Sequence, residues 1–279
     1  MKTIMILSLW LACGRMVTAA ETQTTESFHR MITKKVGYEY LLALPSGYDA
    51  AADKKWPLII FLHGSGERGT DLWLVAKHGP PKILRGEPTA PHLNEGHQRP
   101  ASPAAQTSGE AARTLLRTQF IVVSPQCPLG RAWDDDTVVA LLDVVTERYK
   151  IDPQRSYLTG LSLGGYGTWS VGLKYPERFA AIVPICGGGQ PVDAWRSAET
   201  KKSSLLSLGI WAFHGAKDPT VPLAESERMI ATLKSVGLAE TKLTIYPEAG
   251  HDSWTESYAD PELYAWLLRH RRAPQPIIP

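Results

Sequence analysis

Short apolar runs recur along the chain and alternate with turn signals. Tyr38 to Leu44 reads as an early strand, and Leu58 to Leu62 is a continuous apolar run. Phe120 to Ser124, Ser156 to Gly160, Ala180 to Ile185, Gly209 to Phe213 and Lys242 to Tyr246 complete the set. Runs without polar alternation are expected of strands covered on both faces. Helical spacing fills the intervals at Leu72 to Lys77, Val138 to Tyr149, Tyr166 to Tyr175, Leu223 to Val236 and Pro261 to Arg271. Strands that alternate with helices of this length predict an α/β fold: a mostly parallel central sheet with helices on both faces.

One stretch breaks this rhythm. Residues 86–112 are rich in Pro, Ala, Gly, Gln and Ser without an apolar period, and they predict a long flexible insertion loop. An active-site lid is the alternative, but a helix-to-strand connection should emerge away from the strand C-termini. No internal repeat is visible. The pattern gives one catalytic domain over residues 28–272 and a short tail at 273–279.

The first residues read differently. Lys2, an apolar run from Ile4 to Ala12, and Val17-Thr18-Ala19 have the form of a secretory signal peptide at 1–19. The run is too short to span a bilayer as a mature helix. A buried strand or helix is the structural alternative. A lipoprotein site at Cys13 is another, which Trp10 fits poorly. The expectation is a secreted or periplasmic protein.

Removing Lys2 and Arg15 with the leader leaves 28 basic residues against 28 acidic ones. A chain so balanced, with no basic stripe, has no electrostatic footprint for nucleic acid. Cys127 and Cys186 would remain, each following a strand. Three strand spacings, roughly 14 Å at about 4.8 Å each, separate them in the expected sheet. Disulfide Cα separations rarely exceed about 7 Å, so free thiols are expected. No cysteine–histidine spacing suggests a zinc site.

The chemistry is written in Gly160-Leu161-Ser162-Leu163-Gly164. Strand, then G-x-S-x-G, then helix is the context of a nucleophile elbow. The turn is so sharp that side chains two residues either side would collide, which explains both glycines. A serine hydroxyl needs a base, an orienting acid and an oxyanion hole. His251 follows the strand ending at Tyr246, and imidazole can accept and return a proton at ordinary pH. Asp218 follows the strand ending at Phe213, where it could fix the tautomer of His251; a turn-forming role before Pro219 is its bland alternative. Asp252 competes for the acid's part, but adjacency in sequence rarely gives an edge-on approach. For the oxyanion hole, the backbone N–H of Leu163 at a helix start pairs with that of Ser65 in His63-Gly64-Ser65-Gly66. His63 reads as structural. Ser65 lacks the strained setting of a nucleophile.

The order Ser162, Asp218, His251 is that of α/β-hydrolases. Leu62 to Gly69, Lys77-His78-Gly79-Pro80-Pro81, Val123 to Pro128, Gly160 to Gly167, Pro184 to Gly189, Phe213 to Pro219 and Gly250 to Trp254 extend the likeness. Together they resemble the secreted carboxylesterase or "predicted peptidase" branch of that superfamily, similar to phospholipase/carboxylesterase and prolyl-oligopeptidase catalytic domains. The likeness runs from about Tyr38 to Arg272. It implies serine hydrolase activity without a cofactor and leaves ester against peptide undecided. The 86–112 stretch departs from the compact family pattern.

Trp133 and Trp254 have two open readings: they flank the elbow as a substrate pocket, or they seal the core under the loops. Between Cys186 and Gly209 there is no room for a large cap domain, which favours an open site for small esters or esters carried on a polysaccharide. The leading expectation is an exported serine carboxylesterase. A peptidase of prolyl-oligopeptidase type is the same-chemistry rival, although a gating domain is missing. A non-catalytic carbohydrate-binding or scaffolding protein is the rival of another class.

Overall fold

The computed structural model describes residues 25–86, 103–238 and 241–272, with two short strands at 92–93 and 97–98. The expected leader at 1–19, the Cys13 site, the tail at 273–279 and most of 87–102 lie outside the described residues. The chain divides into two units at Lys35/Val36. Residues 25–35 of the first carry no regular element, and every element below belongs to the second.

In chain order the strands are β1 (Tyr40–Ala43), β2 (Trp56–Leu62), β3 (His92–Leu93), β4 (His97–Gln98), β5 (Ile121–Pro125), β6 (Ile151–Leu161), β7 (Ala181–Ile185), β8 (Gly209–Gly215) and β9 (Thr241–Tyr246). The helices are α1 (Gly79–Arg85), α2 (Pro103–Gln119), α3 (Asp135–Arg148), α4 (Leu163–Lys174) and α5 (Pro191–Thr200). They continue with α6 (Lys202–Leu206), α7 (Ala224–Ser235), α8 (Trp254–Ala259) and α9 (Pro261–Arg269). Short 3-10 turns at Ser65–Glu67 and Leu72–Lys77 follow β2. The small β3–β4 ladder is antiparallel and separate from the main sheet.

The main sheet has seven strands in the order β1-β5-β2-β6-β7-β8-β9. Only the β1–β5 pair is antiparallel. All seven apolar runs therefore form one sheet. Strands β2, β5, β7 and β8 are buried throughout, which is why their sequences lack alternation. Alternate residues of β2 serve opposite layers. Leu58, Ile60 and Leu62 join a core with Val138, Leu142 and Trp169. Ile59 and Phe61 join another with Leu116, Tyr258 and Tyr264. The connection from β7 to β8 is the short pair α5 and α6, not a cap domain. No helix among the described residues is long and apolar enough to cross a membrane.

The expected loop at 86–112 needs correction at its C-terminal end, because residues 103–112 open α2. Alanine-rich polar sequence favours helix, and Ala112 and Leu116, one turn apart, bury its inner side. The stripe falls at the very end of the stretch, so the low apolar content conceals it.

The chain passes from β2 outward to β5, then returns to place β6 on the other side of β2. That reversal is a topological switch point, where open α/β sheets form crevices beyond the strand C-termini. Two loops meet there: His63–Gly66 after β2, and Ser162 after β6. They meet tightly. A Cβ on Gly164 would lie 1.9 Å from the carbonyl oxygen of Leu62, and one on Gly160 would lie 2.4 Å from that of Gly164. We expect Gly164→Ala to lose at least about 3 kcal/mol in urea unfolding, because backbone must move. Gly37→Ala, where a Cβ meets nothing within 4 Å, should stay within about 0.5 kcal/mol of wild type.

Candidate active site

Ser162 caps α4 with φ of 51° and ψ of −115°. A non-glycine residue there costs on the order of 1–3 kcal/mol and persists only where its surroundings impose it. The Ser162 N–H donates to Ile185 O at 3.0 Å, and the Tyr166 N–H donates to Ser162 O at 3.0 Å. The glycines at 160 and 164 give the turn its room. Cys186 is the other positive-φ non-glycine residue among those described, at 40°. It directly follows β7, and its N–H donates to Phe213 O at 2.9 Å. Two strained turns thus lie side by side at the strand ends, each anchored to the neighbouring strand.

Three expected residues come together. The Ser162 Oγ lies 3.0 Å from Nε2 of His251. Nδ1 of His251 lies 2.8 Å from Oδ2 of Asp218. A carboxylate only accepts, so Nδ1 carries the proton and Nε2 offers its lone pair to the serine hydroxyl. The other oxygen, Oδ1, accepts the N–H groups of Thr220 at 2.8 Å and Val221 at 2.9 Å. The Asp218 side chain is fully buried, so these donors replace water around its charge. Sequence alone did not single out His214. It is also fully buried, with Nε2 donating to Val221 O at 2.9 Å and standing 3.4 Å from Oδ2 of Asp218. Asp252, the competitor, is occupied elsewhere. It caps α8, accepting the N–H and hydroxyl of Thr255 at 3.0 and 2.9 Å.

The loop after β2 is held from several sides. Cys127 N–H donates to Nε2 of His63 at 3.0 Å, leaving Nδ1–H to donate to Gly64 O at 2.6 Å. Burial pushes the His63 imidazole down to about 4. Nε2 of Gln126 donates to Glu67 O at 2.8 Å and to Asp71 O at 2.7 Å. Arg68 reaches back to Ser65 O at 2.9 Å. Ser65 and Leu163 each open a helical turn, one on either side of the Gly164–Leu62 contact.

The tryptophans part company. Trp133 is 7% exposed, donates to His63 O at 3.1 Å and packs edge-on against His63 and Tyr38. It braces the loop after β2 through His63. Trp254 stands perpendicular to the His251 ring, with centroids 5.3 Å apart. Cys127 and Cys186 are buried free thiols, both pushed up by burial.

The sequence pattern of the phospholipase/carboxylesterase family matches residues 134–262, a span that includes Ser162, Asp218 and His251. The fold is similar to that of a thermostable esterase, with a TM-score of 0.62 and 27% identity, covering 84% of this chain and 59% of that one. The chain has the α/β-hydrolase fold. Its residues 134–262 are similar to the phospholipase/carboxylesterase family. Among curated relatives, a bifunctional acetylxylan esterase/xylanase of Neocallimastix patriciarum is 27% identical over 191 residues. That match covers 64% of this chain and 26% of the fungal enzyme. A 4-O-methyl-glucuronoyl methylesterase of Neurospora crassa is 27% identical over 146 residues, covering 46% of this chain and 36% of its own. The chain thus spans between a quarter and two fifths of these two relatives.

His63 yields a pH prediction. Its folded value, about 4, lies below the ordinary 6.5, so the unfolded chain binds more protons between the two. Stability from this group is complete above about pH 6.5 and is lost as pH falls toward 4, a total on the order of 3 kcal/mol. Urea unfolding across this range should give a shallower slope for His63→Gln than for wild type.

Proposed function

We propose that this protein is an exported serine hydrolase that cleaves carboxylic esters through an acyl-enzyme on Ser162. The reading is carried by one observation: the Ser162–His251–Asp218 hydrogen-bond string at the strand ends, with the serine on a strained turn. Export rests on the leader-like sequence at 1–19.

The chemistry follows from the proton positions. Nε2 of His251 takes the hydroxyl proton as Ser162 Oγ bonds to the ester carbonyl carbon. The carbonyl electrons move onto oxygen, facing the N–H groups of Ser65 and Leu163. Collapse breaks the bond to the alcohol oxygen, which takes the proton from Nε2. Water, deprotonated by the same nitrogen, then attacks the acyl carbon and frees Ser162. Asp218 holds Nδ1–H throughout and stabilises the transient imidazolium. The two cysteines stay protonated, since burial raises both thiols, and protonated thiols are poor nucleophiles.

The relatives' printed substrates, acetylxylan and a glucuronoyl methyl ester, favour small esters carried on carbohydrate as the class to test first. The short α5–α6 connection supports an open site that a polymer could reach.

Purified protein should hydrolyse p-nitrophenyl acetate or butyrate and take up a fluorophosphonate at Ser162. Ser162→Ala should abolish both, and Asp218→Asn should lower kcat about 10,000-fold. Full turnover in Ser162→Ala would overturn the assignment. At matched concentrations, faster cleavage of chromogenic peptides than of aryl esters would move the reading to a peptidase. Inertness toward acetyl, feruloyl and glucuronoyl esters alike, with tight glycan binding, would favour a non-catalytic carbohydrate binder.

A further inference from the structure

Two motifs lie outside the triad and the oxyanion donors: Glu67 in the loop after β2, and His78 before α1. The structure brings both into line with His251. Trp254, which opens α8, donates its Nε1–H to Nδ1 of His78 at 3.3 Å. That bond leaves the His78 proton on Nε2, which faces Oε1 of Glu67 at 3.6 Å, a favourable polar contact longer than a hydrogen bond. The two rings meet edge-to-face with centroids 5.3 Å apart. On its other side, the same indole stands perpendicular to His251 at the same centroid distance. The line therefore runs Glu67, His78, Trp254, His251.

Glu67 also belongs to the oxyanion loop. A Cβ on Gly64 would lie 3.2 Å from Oε2 of Glu67, so the carboxylate lies against the residue that precedes Ser65. The Glu67 side chain is 5% exposed and that of His78 is 13% exposed. An acid so buried is held at a cost unless polar groups face it.

We propose that Glu67, His78 and Trp254 form a positioning array that couples the oxyanion loop to the catalytic imidazole. Trp254 limits rotation of the half-buried His251 ring, His78 fixes Trp254 through its hydrogen bond, and Glu67 sets the loop that carries the Ser65 N–H against His78. The indole N–H is committed to His78, so Trp254 acts on the reaction through His251 and not as a hydrogen-bond donor to substrate. The inference rests on the proposed ester hydrolysis for its kinetic readout and on geometry alone for its spectroscopic one.

The test compares wild type with Trp254→Phe, His78→Ala, Glu67→Gln and the Trp254→Phe/His78→Ala double variant. Phenylalanine keeps one aromatic ring but removes the N–H and the second ring of the indole, so this variant carries the test if His78→Ala fails to fold. With p-nitrophenyl acetate, Trp254→Phe and His78→Ala should each lower kcat about 10- to 100-fold with KM within about two-fold, the signature of misplacement rather than lost binding. The double variant should be no slower than the worse single, because both remove one bond. Glu67→Gln keeps the side chain's shape and an acceptor facing His78 Nε2–H, and should retain more activity than Glu67→Ala. Separately, the downfield Nδ1–H resonance of His251, read by proton NMR without substrate, should broaden or shift in Trp254→Phe. An unchanged resonance with unchanged kcat overturns the array, as does an effect confined to KM. A wild type inert to every ester, with the resonance still moving in the variant, would sink ester hydrolysis and leave the array standing.

Discussion

The close approach of α4 to the end of β2 is the constraint on which the rest depends. A Cβ at Gly164 would sit 1.9 Å from Leu62 O, so the first turn of the helix lies directly on the last peptide of the strand. This contact fixes the helix start and forces Ser162 into its positive-φ turn. It also brings Leu163 beside the loop that carries Ser65. Strain of this kind is retained only where neighbours over-determine it. Here the determinants are the Ile185 carbonyl, the helix behind the serine and the parallel strained turn at Cys186.

Burying charge beside such a turn imposes a second requirement. Asp218 has no exposed side-chain surface, so an ionised form needs donors in place of water. It receives them from His251, Thr220 and Val221. All three donors belong to loops that begin at strand ends, and this is why the acid sits after β8. The same logic separates Asp218 from Asp252, whose oxygens go to a helix cap. A carboxylate one residue from the imidazole is used for local structure, and the carboxylate 33 residues away orients the ring.

The sequence exposes these features unequally. Strands covered on both faces leave unbroken apolar runs, so β2, β5, β7 and β8 were legible, while the partly exposed edge strands β1 and β9 showed as β-prone residues between turn signals. The elbow was legible because its glycines answer a steric demand that no other residue type meets. The helix α2 was not, since alanine and polar residues dominate it and, among the described side chains, Ala112 and Leu116 are the buried ones. The part played by Trp133 stayed open because aromatic residues near a loop look alike whether they prop it or face solvent. His214, Glu67 and His78 act through contacts spaced far apart along the chain or through buried hydrogen bonds, and neither leaves a period or a spacing. Their motifs were visible as words without a mechanism.

The stretch that matches the carboxylesterase-like family, 134–262, contains the serine, the acid and the base. The loop His63–Gly69 and His78 come before it. The serine, acid and base and the loop His63–Gly69 are thus drawn from different parts of the chain and meet at the switch between β2 and β6. On the proposed ester hydrolysis, a shift between these parts would move the Ser65 N–H away from the carbonyl while every triad hydrogen bond stayed intact. Something must hold the two parts in register. The Gly164–Leu62 contact does so from below, through backbone. The buried Glu67 carboxylate, lying against Gly64 and 3.6 Å from His78, is placed to do so through side chains.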